Sequence, residues 1–174
     1  MSTAAMVHAR FDSPIGLLTL CGSDGILSGL YMDPHQNGPE AARLGPRDDA
    51  AFKSVREQLA AYFSGELRVF DLRLEVLGTV FQKKVWAALC EIPYGETISY
   101  GELARRIGQP TAARAVGLAN GQNPVSIIVP CHRVLGADCK MGGFSANGGV
   151  ATKRRMLEIE GAPEVGAGPL FAQR

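Results

Sequence analysis

The apolar positions at the start of the chain fall into three short runs, at residues 7–11, 17–20 and 26–32. The segments between them, 12–16 and 22–25, hold the Asp, Ser, Pro and Gly residues that are typical of tight turns. Short runs separated by short turns favour neighbouring antiparallel strands. The pattern therefore predicts a three-stranded antiparallel meander.

A helical spacing replaces the strand pattern in the next segment. Large apolar side chains recur every three or four positions, at Phe52, Val55, Leu59, Tyr62 and Phe63. We expect Asp48 or Asp49 to cap the start of this helix and Gly65 to end it. One helix on one small sheet makes an α+β unit. Nothing in it indicates catalysis, so we expect it to act as a scaffold.

The second half of the chain is predicted to be mostly helical. One helix face is marked by Phe81, Val85, Leu89 and Ile92. This helix is expected to start after Thr79, an N-cap residue type, and to stop at Pro93. A final helix is expected near residues 150–160. The predicted domains are residues 1–77 and 78–162, followed by a frayed tail at residues 163–174.

Two short helices are expected between these elements. Ser99 is predicted to cap the first helix, which runs through Ile107, and Thr111 to cap the second, which ends near Leu118. A glycine-containing turn of about three residues between helices is the spacing of a helix-turn-helix unit. The second helix is rich in Ala and Gly, and Arg114 alone protrudes from it. Such a helix suits either a DNA groove or close packing in a core.

Charge is distributed unevenly along the chain. The net charge is only +1, yet residues 1–78 hold 7 Lys and Arg against 10 Asp and Glu, whereas residues 79–174 hold 11 against 7. The positive half carries the helix-turn-helix pattern, which indicates an electrostatic surface for nucleic acid. An ordinary solvated surface would give the same counts.

Composition and cysteine spacing limit the other classes of function. The 174 residues have the apolar and charged content of a soluble globular protein. No apolar run approaches the roughly 20 residues of a membrane span, and no signal-peptide pattern opens the chain, so we expect a cytoplasmic protein. The four cysteines, Cys21, Cys90, Cys131 and Cys139, include no CxxC pair. We therefore expect no metal; a zinc site that uses His8 or His35 stays an alternative.

Candidate chemistry centres on Cys131, which follows an apolar run and Pro130 and precedes His132 and Arg133. A thiolate is a strong nucleophile, but a thiol with a pKa of about 8.5 needs a base or a positive charge to form one at neutral pH. Consecutive side chains seldom face each other. Contact between Cys131 and His132 therefore needs a bend, which Pro130 favours, or a water molecule that relays the proton. A buried cysteine without chemistry fits the same residues.

Several segments around this thiol form one wider pattern. They are Pro130-Cys131-His132-Arg133-Val134, Asn123-Pro124-Val125, Arg114-Ala115-Val116-Gly117, Gly78-Thr79-Val80-Phe81-Gln82, Val85-Trp86, Ile92-Pro93-Tyr94-Gly95-Glu96-Thr97, Ser99-Tyr100-Gly101, Lys153, Leu157 and Glu160-Gly161. Together they span about half of the chain, and they resemble the O6-alkylguanine-DNA alkyltransferases, also called methylated-DNA-protein-cysteine methyltransferases.

This resemblance implies a fold and a reaction. The fold is α+β, with a small N-terminal three-stranded antiparallel sheet and helix and a mostly helical, winged helix-turn-helix-like C-terminal domain. The reaction is a direct, irreversible transfer of an alkyl group from O6-alkylguanine in duplex DNA to Cys131, once per molecule, after the base is flipped out through the minor groove. The protein is expected to be a monomer that needs no cofactor and joins the nucleoid on DNA; cooperative binding is left open.

The resemblance also assigns the residues of the site. The catalytic residues are Cys131, His132, Glu160, Tyr100 and Asn123; the DNA-binding residues are Arg114, Thr111, Ala113, Ala115, Gly117, Ala119 and Tyr100; the pocket residues are Val129, Pro130, Phe144 and Ser145. Glu160 would orient His132, which would act on the thiol through a water molecule, and Tyr100 would donate to the purine. Asn123 would hold the DNA-reading helix against the thiol segment. Glu158 is the alternative to Glu160.

Two departures and two competing functions remain open. Phe144 stands where the family often has tyrosine, in a loop that is a couple of residues longer than expected, so the range of alkyl groups is undefined. Cys139 is either a bystander or a second thiol. A Cys-His hydrolase would need a distant histidine and would turn over repeatedly. A protein that only binds lesions would need no thiol.

Overall fold

The three apolar runs at the start of the chain form the predicted sheet. The computed structural model describes residues 4–32, 41–136 and 149–162. Strands β1 (Val7–Ser13), β2 (Gly16–Ser23) and β3 (Ile26–Met32) pair antiparallel in the order β1-β2-β3. Asp24 and Gly25 join β2 to β3 with φ values of 52° and 75°. Two positive φ angles in a two-residue loop match the twist of the strands that the loop connects, so the hairpin is specified locally.

Helix α1 (Lys53–Phe63) follows, but it starts differently from the prediction. Neither Asp48 nor Asp49 caps it: Phe52 holds the N-cap position at φ 59° without a side-chain hydrogen bond. Asp48 instead accepts a hydrogen bond from the backbone of Ala50. The ring of Phe52 is buried, so we attribute the start of the helix to the packing of this ring and not to a capping side chain. The predicted end is confirmed by Gly65, which has a φ of 83° directly after the final turn.

The start of helix α2 (Val80–Leu89) agrees with the sequence pattern. The Thr79 hydroxyl accepts a hydrogen bond from the backbone N–H of Gln82, and the Gln82 side chain accepts one from the backbone N–H of Thr79. This reciprocal pair is a capping box. Val85 and Leu89 are fully buried, so the predicted face of α2 packs into the core.

The helix-turn-helix pattern is present, with one correction. Ser99 caps helix α3 (Tyr100–Arg106) by accepting from the backbone N–H of Glu102 at 3.0 Å. Helix α4 (Ala113–Gly121) is not capped by Thr111, because its N-cap position is Ala112, and it extends beyond Leu118. The N–H of Ala112 donates to the carbonyl of Gln109, so Thr111 lies inside a tight turn that precedes the N-cap position.

Two short strands and a final helix complete the second half. Strand β4 (Ile98–Ser99) pairs in parallel with β5 (Val134–Leu135), which directly follows a 3₁₀ turn at Cys131–Arg133. Helix α5 (Val150–Glu160) packs against that turn. The pairing with β4 and the contact with α5 hold the thiol segment from two sides.

The two halves share one hydrophobic core, which confirms the α+β arrangement of a small sheet and helix beside a mostly helical unit. Leu30 of β3 donates its N–H to the carbonyl of Pro124 at 2.8 Å. Residues 74 and 75 run along the same strand, where Glu75 donates to Leu27. The boundary near residue 77 stays a prediction. In the described ranges, no helix is long and apolar enough to cross a membrane.

Candidate active site

The segment that carries Cys131 is bent as its sequence indicates. Cys131 starts the 3₁₀ turn directly after Pro130, and its N–H donates to the carbonyl of Val129 at 2.8 Å. Upstream, Ile127 adopts a φ of 76°, which is a strained conformation for a β-branched residue. Ile127 is nevertheless buried, so the surrounding packing enforces the bend that presents the thiol.

Two asparagines join helix α4 to this segment. Asn123 donates through Nδ2 to the carbonyl of Val129 at 2.8 Å and accepts through Oδ1 from the N–H of Val125 at 2.9 Å. The structure thus brings Asn123 to the thiol segment. Asn120, which the sequence did not single out, donates to the carbonyl of Cys131 at 3.3 Å. The end of α4 and the nucleophile are therefore held in one hydrogen-bonded frame.

His132 and Glu160 meet inside the core. His132 Nε2 lies 2.7 Å from Glu160 Oε1, and both side chains are almost fully buried. Glu158, the alternative, is exposed and lies 3.7 Å from Arg155. Glu160 is therefore the carboxylate that contacts the imidazole.

Three more groups bind the same carboxylate. Arg133 donates Nε to Oε2 and Nη2 to Oε1, each at 2.9 Å. Tyr62 donates its hydroxyl to Oε1 at 2.7 Å, and the backbone N–H of Gly95 donates to Oε2 at 3.2 Å. The sequence offered Arg133 as a positive charge for the thiol and not as a partner of Glu160, and it did not assign Tyr62 to the site. Helical spacing identified Tyr62 as a core residue but gave no sign of its hydroxyl partner.

These bonds fix the proton positions on the imidazole. Burial opposes the charge of Glu160, but the hydrogen bonds from His132, Arg133 and Tyr62 outweigh it and hold the pKa of the carboxyl well below its usual value. Burial also lowers the pKa of His132, although Glu160 counteracts this effect. An ionised carboxylate only accepts hydrogen bonds, so Nε2 carries the proton. The neutral ring keeps a lone pair on Nδ1 that is able to accept another.

The thiol itself rests in its protonated form. Burial raises the pKa of Cys131, and the Asn123 side chain and the Lys153 charge partly offset that rise. Lys153 is fully buried, and this burial lowers the pKa of its amine to about 8, with Cys131 acting in the opposite direction. A buried amine beside a buried thiol favours the thiolate once the proton leaves.

Tyr100 lies in the same environment. Its ring centroid is 5.7 Å from Lys153 Nζ. A Cβ placed on Gly117 would lie 3.8 Å from the Tyr100 ring, so the ring runs along α4 one turn before Asn120. Burial raises the pKa of Tyr100, the nearby Cys131 raises it further, and Asn120 lowers it. The hydroxyl is therefore a neutral donor at physiological pH.

The outer face of α4 agrees only in part with the predicted DNA-binding set. Arg114, Ala115 and Thr111 are exposed, and Ala113 and Gly117 are half-buried. Ala119 is the correction: it is 2% exposed and its carbonyl accepts from Trp86, so it faces the core. Arg114 is also not the only protruding side chain, because Leu118 is 65% exposed.

Only two of the four predicted pocket residues belong to the part of the chain that the structure describes. Val129 and Pro130 are buried next to the nucleophile. Phe144, Ser145 and Cys139 lie outside the described residues. Within the described ranges no group of three His, Cys, Asp or Glu side chains is arranged to hold a metal ion. His8 contacts the carbonyl of Gly45 through Nδ1, and His35 lies outside the described residues.

Comparisons with known proteins cover both halves of the chain. Residues 6–76 match the family model described as the 6-O-methylguanine DNA methyltransferase, ribonuclease-like domain, and residues 80–162 match the model of the DNA binding domain of the same enzyme. A methylated-DNA–protein-cysteine methyltransferase of Mycobacterium tuberculosis is 54% identical over 156 residues, which cover 89% of this chain and 93% of the relative. One of Methanosarcina acetivorans is 46% identical over 157 residues, or 90% and 99% of the two chains.

Solved structures give the same result. The chain is similar to the crystal structure of the O6-methylguanine methyltransferase of Mycobacterium tuberculosis, with a TM-score of 0.84, 52% identity and coverage of 90% of this chain and 93% of the other. A second structure from that organism, solved in complex with DNA, gives a TM-score of 0.82 at 52% identity, with coverage of 88% and 92%. The similarity therefore extends over most of the chain.

Proposed function

This chain belongs to the 6-O-methylguanine DNA methyltransferase family, and on that basis we propose that it repairs DNA by moving an alkyl group from O6 of guanine to its own Cys131. The observation that carries this proposal is the buried thiol beside the neutral His132, which Glu160 holds at 2.7 Å. A thiolate attacks an alkyl carbon readily, and the thioether that forms has no easy route back. Each molecule therefore acts once.

The first step of the proposed reaction is removal of the thiol proton. Nδ1 of His132 has the free lone pair, and a water molecule relays the proton because adjacent side chains do not meet directly. Glu160 then stabilises the imidazolium, while the Lys153 amine stabilises the thiolate. The sulfur lone pair of Cys131 forms the new C–S bond as the bond between the alkyl carbon and guanine O6 breaks.

The second requirement is a proton donor for the leaving group. The electron pair of the broken C–O bond goes to the purine, which needs a hydrogen-bond donor as its negative charge develops. Tyr100 is neutral and buried near Cys131, so its hydroxyl suits this role. The guanine leaves as a neutral base when it takes the proton of the Tyr100 hydroxyl, and the proton that His132 accepted from the thiol returns through water to Tyr100, so the protons balance. The nucleophile, the base and the donor all belong to the chain, so the proposed reaction needs no cofactor.

DNA binding is assigned to the exposed face of α4. The small side chains there would allow a close approach to a groove, and the exposed Arg114 would fill the space of a flipped nucleotide. Extrusion of a base costs a few kcal/mol, which phosphate contacts and Arg114 would offset. Binding should weaken with salt and depend little on sequence. The relative from Mycobacterium tuberculosis was solved in complex with DNA, which supports DNA as the partner. We further propose that the protein acts as a monomer in the cytoplasm.

The decisive experiment is a mass measurement. The protein is incubated with duplex DNA that carries one O6-methylguanine, and the intact protein and its peptides are then weighed. We expect the mass of one methyl group on the peptide that contains Cys131, and no further gain with excess DNA. Cys131→Ser should abolish the gain, whereas the matched change at the exposed Cys90, Cys90→Ser, should leave it intact.

Other outcomes would identify the competing functions. No gain in mass while the lesion stays bound would refute transfer and indicate a protein that only recognises lesions. Repeated release of product by one molecule would indicate a hydrolase.

A further inference from the structure

The carboxylate of Glu160 accepts hydrogen bonds from separate parts of the chain. One of the donors belongs to the N-terminal half, which the sequence predicts to be a scaffold. Tyr62 lies on α1, 98 residues before Glu160. We propose that Tyr62 is a positioning residue of the reaction centre: by donating its hydroxyl to Glu160 Oε1, it sets how strongly that carboxylate holds His132. The inference deepens the proposed function and rests on it, since it concerns the same thiol and imidazole.

Three donors converge on one oxygen. Oε1 of Glu160 lies 2.7 Å from the Tyr62 hydroxyl, 2.7 Å from His132 Nε2 and 2.9 Å from Arg133 Nη2. A carboxylate oxygen offers about two lone-pair directions, so the three donors share its negative charge. The bond from Tyr62 therefore competes with the bond from His132.

Packing alone does not explain the hydroxyl. The Tyr62 side chain is fully buried, and its ring lies 5.2 Å from Phe63, 5.3 Å from Phe70 and 6.0 Å from Tyr94, measured between centroids. Phenylalanine would fill this aromatic cluster equally well. What tyrosine adds is one buried O–H group, which needs a partner, and its partner is the carboxylate that contacts His132.

The charges around His132 determine the sign of the effect. Glu160 and Lys153 act on it from α5 and Arg133 acts on it from its own turn, while Tyr62 on α1 donates to Glu160. Without the hydroxyl of Tyr62, more of the Glu160 charge acts on the imidazole. The imidazolium form becomes easier to reach, so the pKa of His132 rises.

The functional consequence follows from the role of Nδ1. A protonated imidazole has no lone pair left for the thiol proton, so transfer stops below the pKa of His132. Tyr62 thus extends the active range toward lower pH. The N-terminal half would then contribute to the reaction as well as to stability.

The test compares Tyr62→Phe with a matched control, Tyr94→Phe. Tyr94 lies in the same aromatic cluster, but its hydroxyl donates to the backbone carbonyl of Ile159 and not to the carboxylate. The chain has three histidines, so His132 can be titrated by NMR and assigned with His8→Gln and His35→Gln. We expect its midpoint to move up by about one pH unit in Tyr62→Phe, the size of one hydrogen bond to a charged group, and to stay unchanged in Tyr94→Phe.

The rate of methyl transfer supplies the second readout. Its acid limb should move by the same amount and in the same direction in Tyr62→Phe. Identical titrations of His132 in the wild type and Tyr62→Phe would overturn the proposal, as would a rate that falls equally at every pH. If Tyr62→Phe fails to fold, 4-fluorophenylalanine at position 62 keeps the volume without a donor. A wild type that transfers no methyl group would refute the proposed function, while the NMR titration would still decide whether Tyr62 acts on His132.

Discussion

Replacement of Lys153 by methionine should stabilise the protein and slow the transfer reaction. The Lys153 side chain is fully buried, and its position on α5 places it near both Cys131 and Tyr100. Methionine has a similar length and carries no charge. It therefore keeps most of the packing and removes the cost of a buried ammonium group.

The magnitude follows from the pKa of the amine. A fall from 10.5 to about 8 on folding corresponds to a destabilisation of about 3 kcal/mol at neutral pH. The unfolded chain binds the proton more tightly than the folded one, so this cost is fully present below pH 8 and disappears as pH rises from about 8 to 10.5. Lys153→Met should therefore unfold at higher urea concentration than the wild type at pH 7, with an advantage that shrinks toward pH 10.

The chemical cost of the same change lies at the thiol. The Lys153 charge lowers the pKa of Cys131, so its removal should raise that pKa further and reduce the fraction of thiolate. Both the labelling of Cys131 by a neutral disulfide and the rate of methyl transfer should fall at fixed pH. Lys53→Met is the matched control, because Lys53 is exposed on α1 and its contact with Glu57 at 3.9 Å contributes little.

Two results would refute this reasoning. If Lys153→Met unfolds at lower urea concentration at every pH, the amine contributes more through its contacts than its burial costs. If labelling and transfer proceed at wild-type rates, the amine does not act on the thiol.

Two other substitutions separate DNA binding from chemistry. Arg114→Ala should slow transfer from duplex DNA by an order of magnitude or more, because the proposed flipped state of the base would lose a few kcal/mol of stabilisation. Transfer from a free O6-alkylguanine base should be unchanged. Equal losses of rate on both substrates would contradict the proposed role. Asn123→Ala removes the hydrogen bonds to Val129 and Val125. It should lower the free energy of unfolding by about 2 kcal/mol, measured by urea titration, and slow transfer from both substrates, measured by the mass assay. A fully active and stable variant would show that these hydrogen bonds are not needed.

Elements with local signals were predictable from the sequence, and those decided by long-range packing were not. Asp24-Gly25 and the capping box at Thr79 depend on a few neighbouring residues, and both positions agree with the prediction. The start of α1 depends on Phe52, whose ring is buried in the core while its backbone adopts a positive φ. No local pattern indicates such a residue at an N-cap.

The same contrast holds within the site. The resemblance brought His132 and Glu160 together, and the contact at 2.7 Å is present. The contact between Tyr62 and Glu160 was not predictable, because helical spacing indicates that a side chain is buried but does not indicate which group its hydroxyl binds. Lys153 is different, since a signal was available. The resemblance included it without a role, although its position in the helix repeat places it on the buried face.

Helix α5 explains how one element biases the proposed proton transfer in two places. Its buried face carries Lys153, Met156, Leu157 and Glu160, which is the i, i+3, i+4, i+7 repeat of a core-facing helix with a charge at each end. The two charged positions are about 10 Å apart along the axis. Burial raises the pKa of Cys131 and lowers that of His132; the cation partly offsets the first shift and the anion partly offsets the second, while the cation has a further, smaller effect that lowers the pKa of His132. The action of the cation on sulfur and of the anion on nitrogen both favour movement of a proton from the thiol to the imidazole, so a single helix face acts on two consecutive residues.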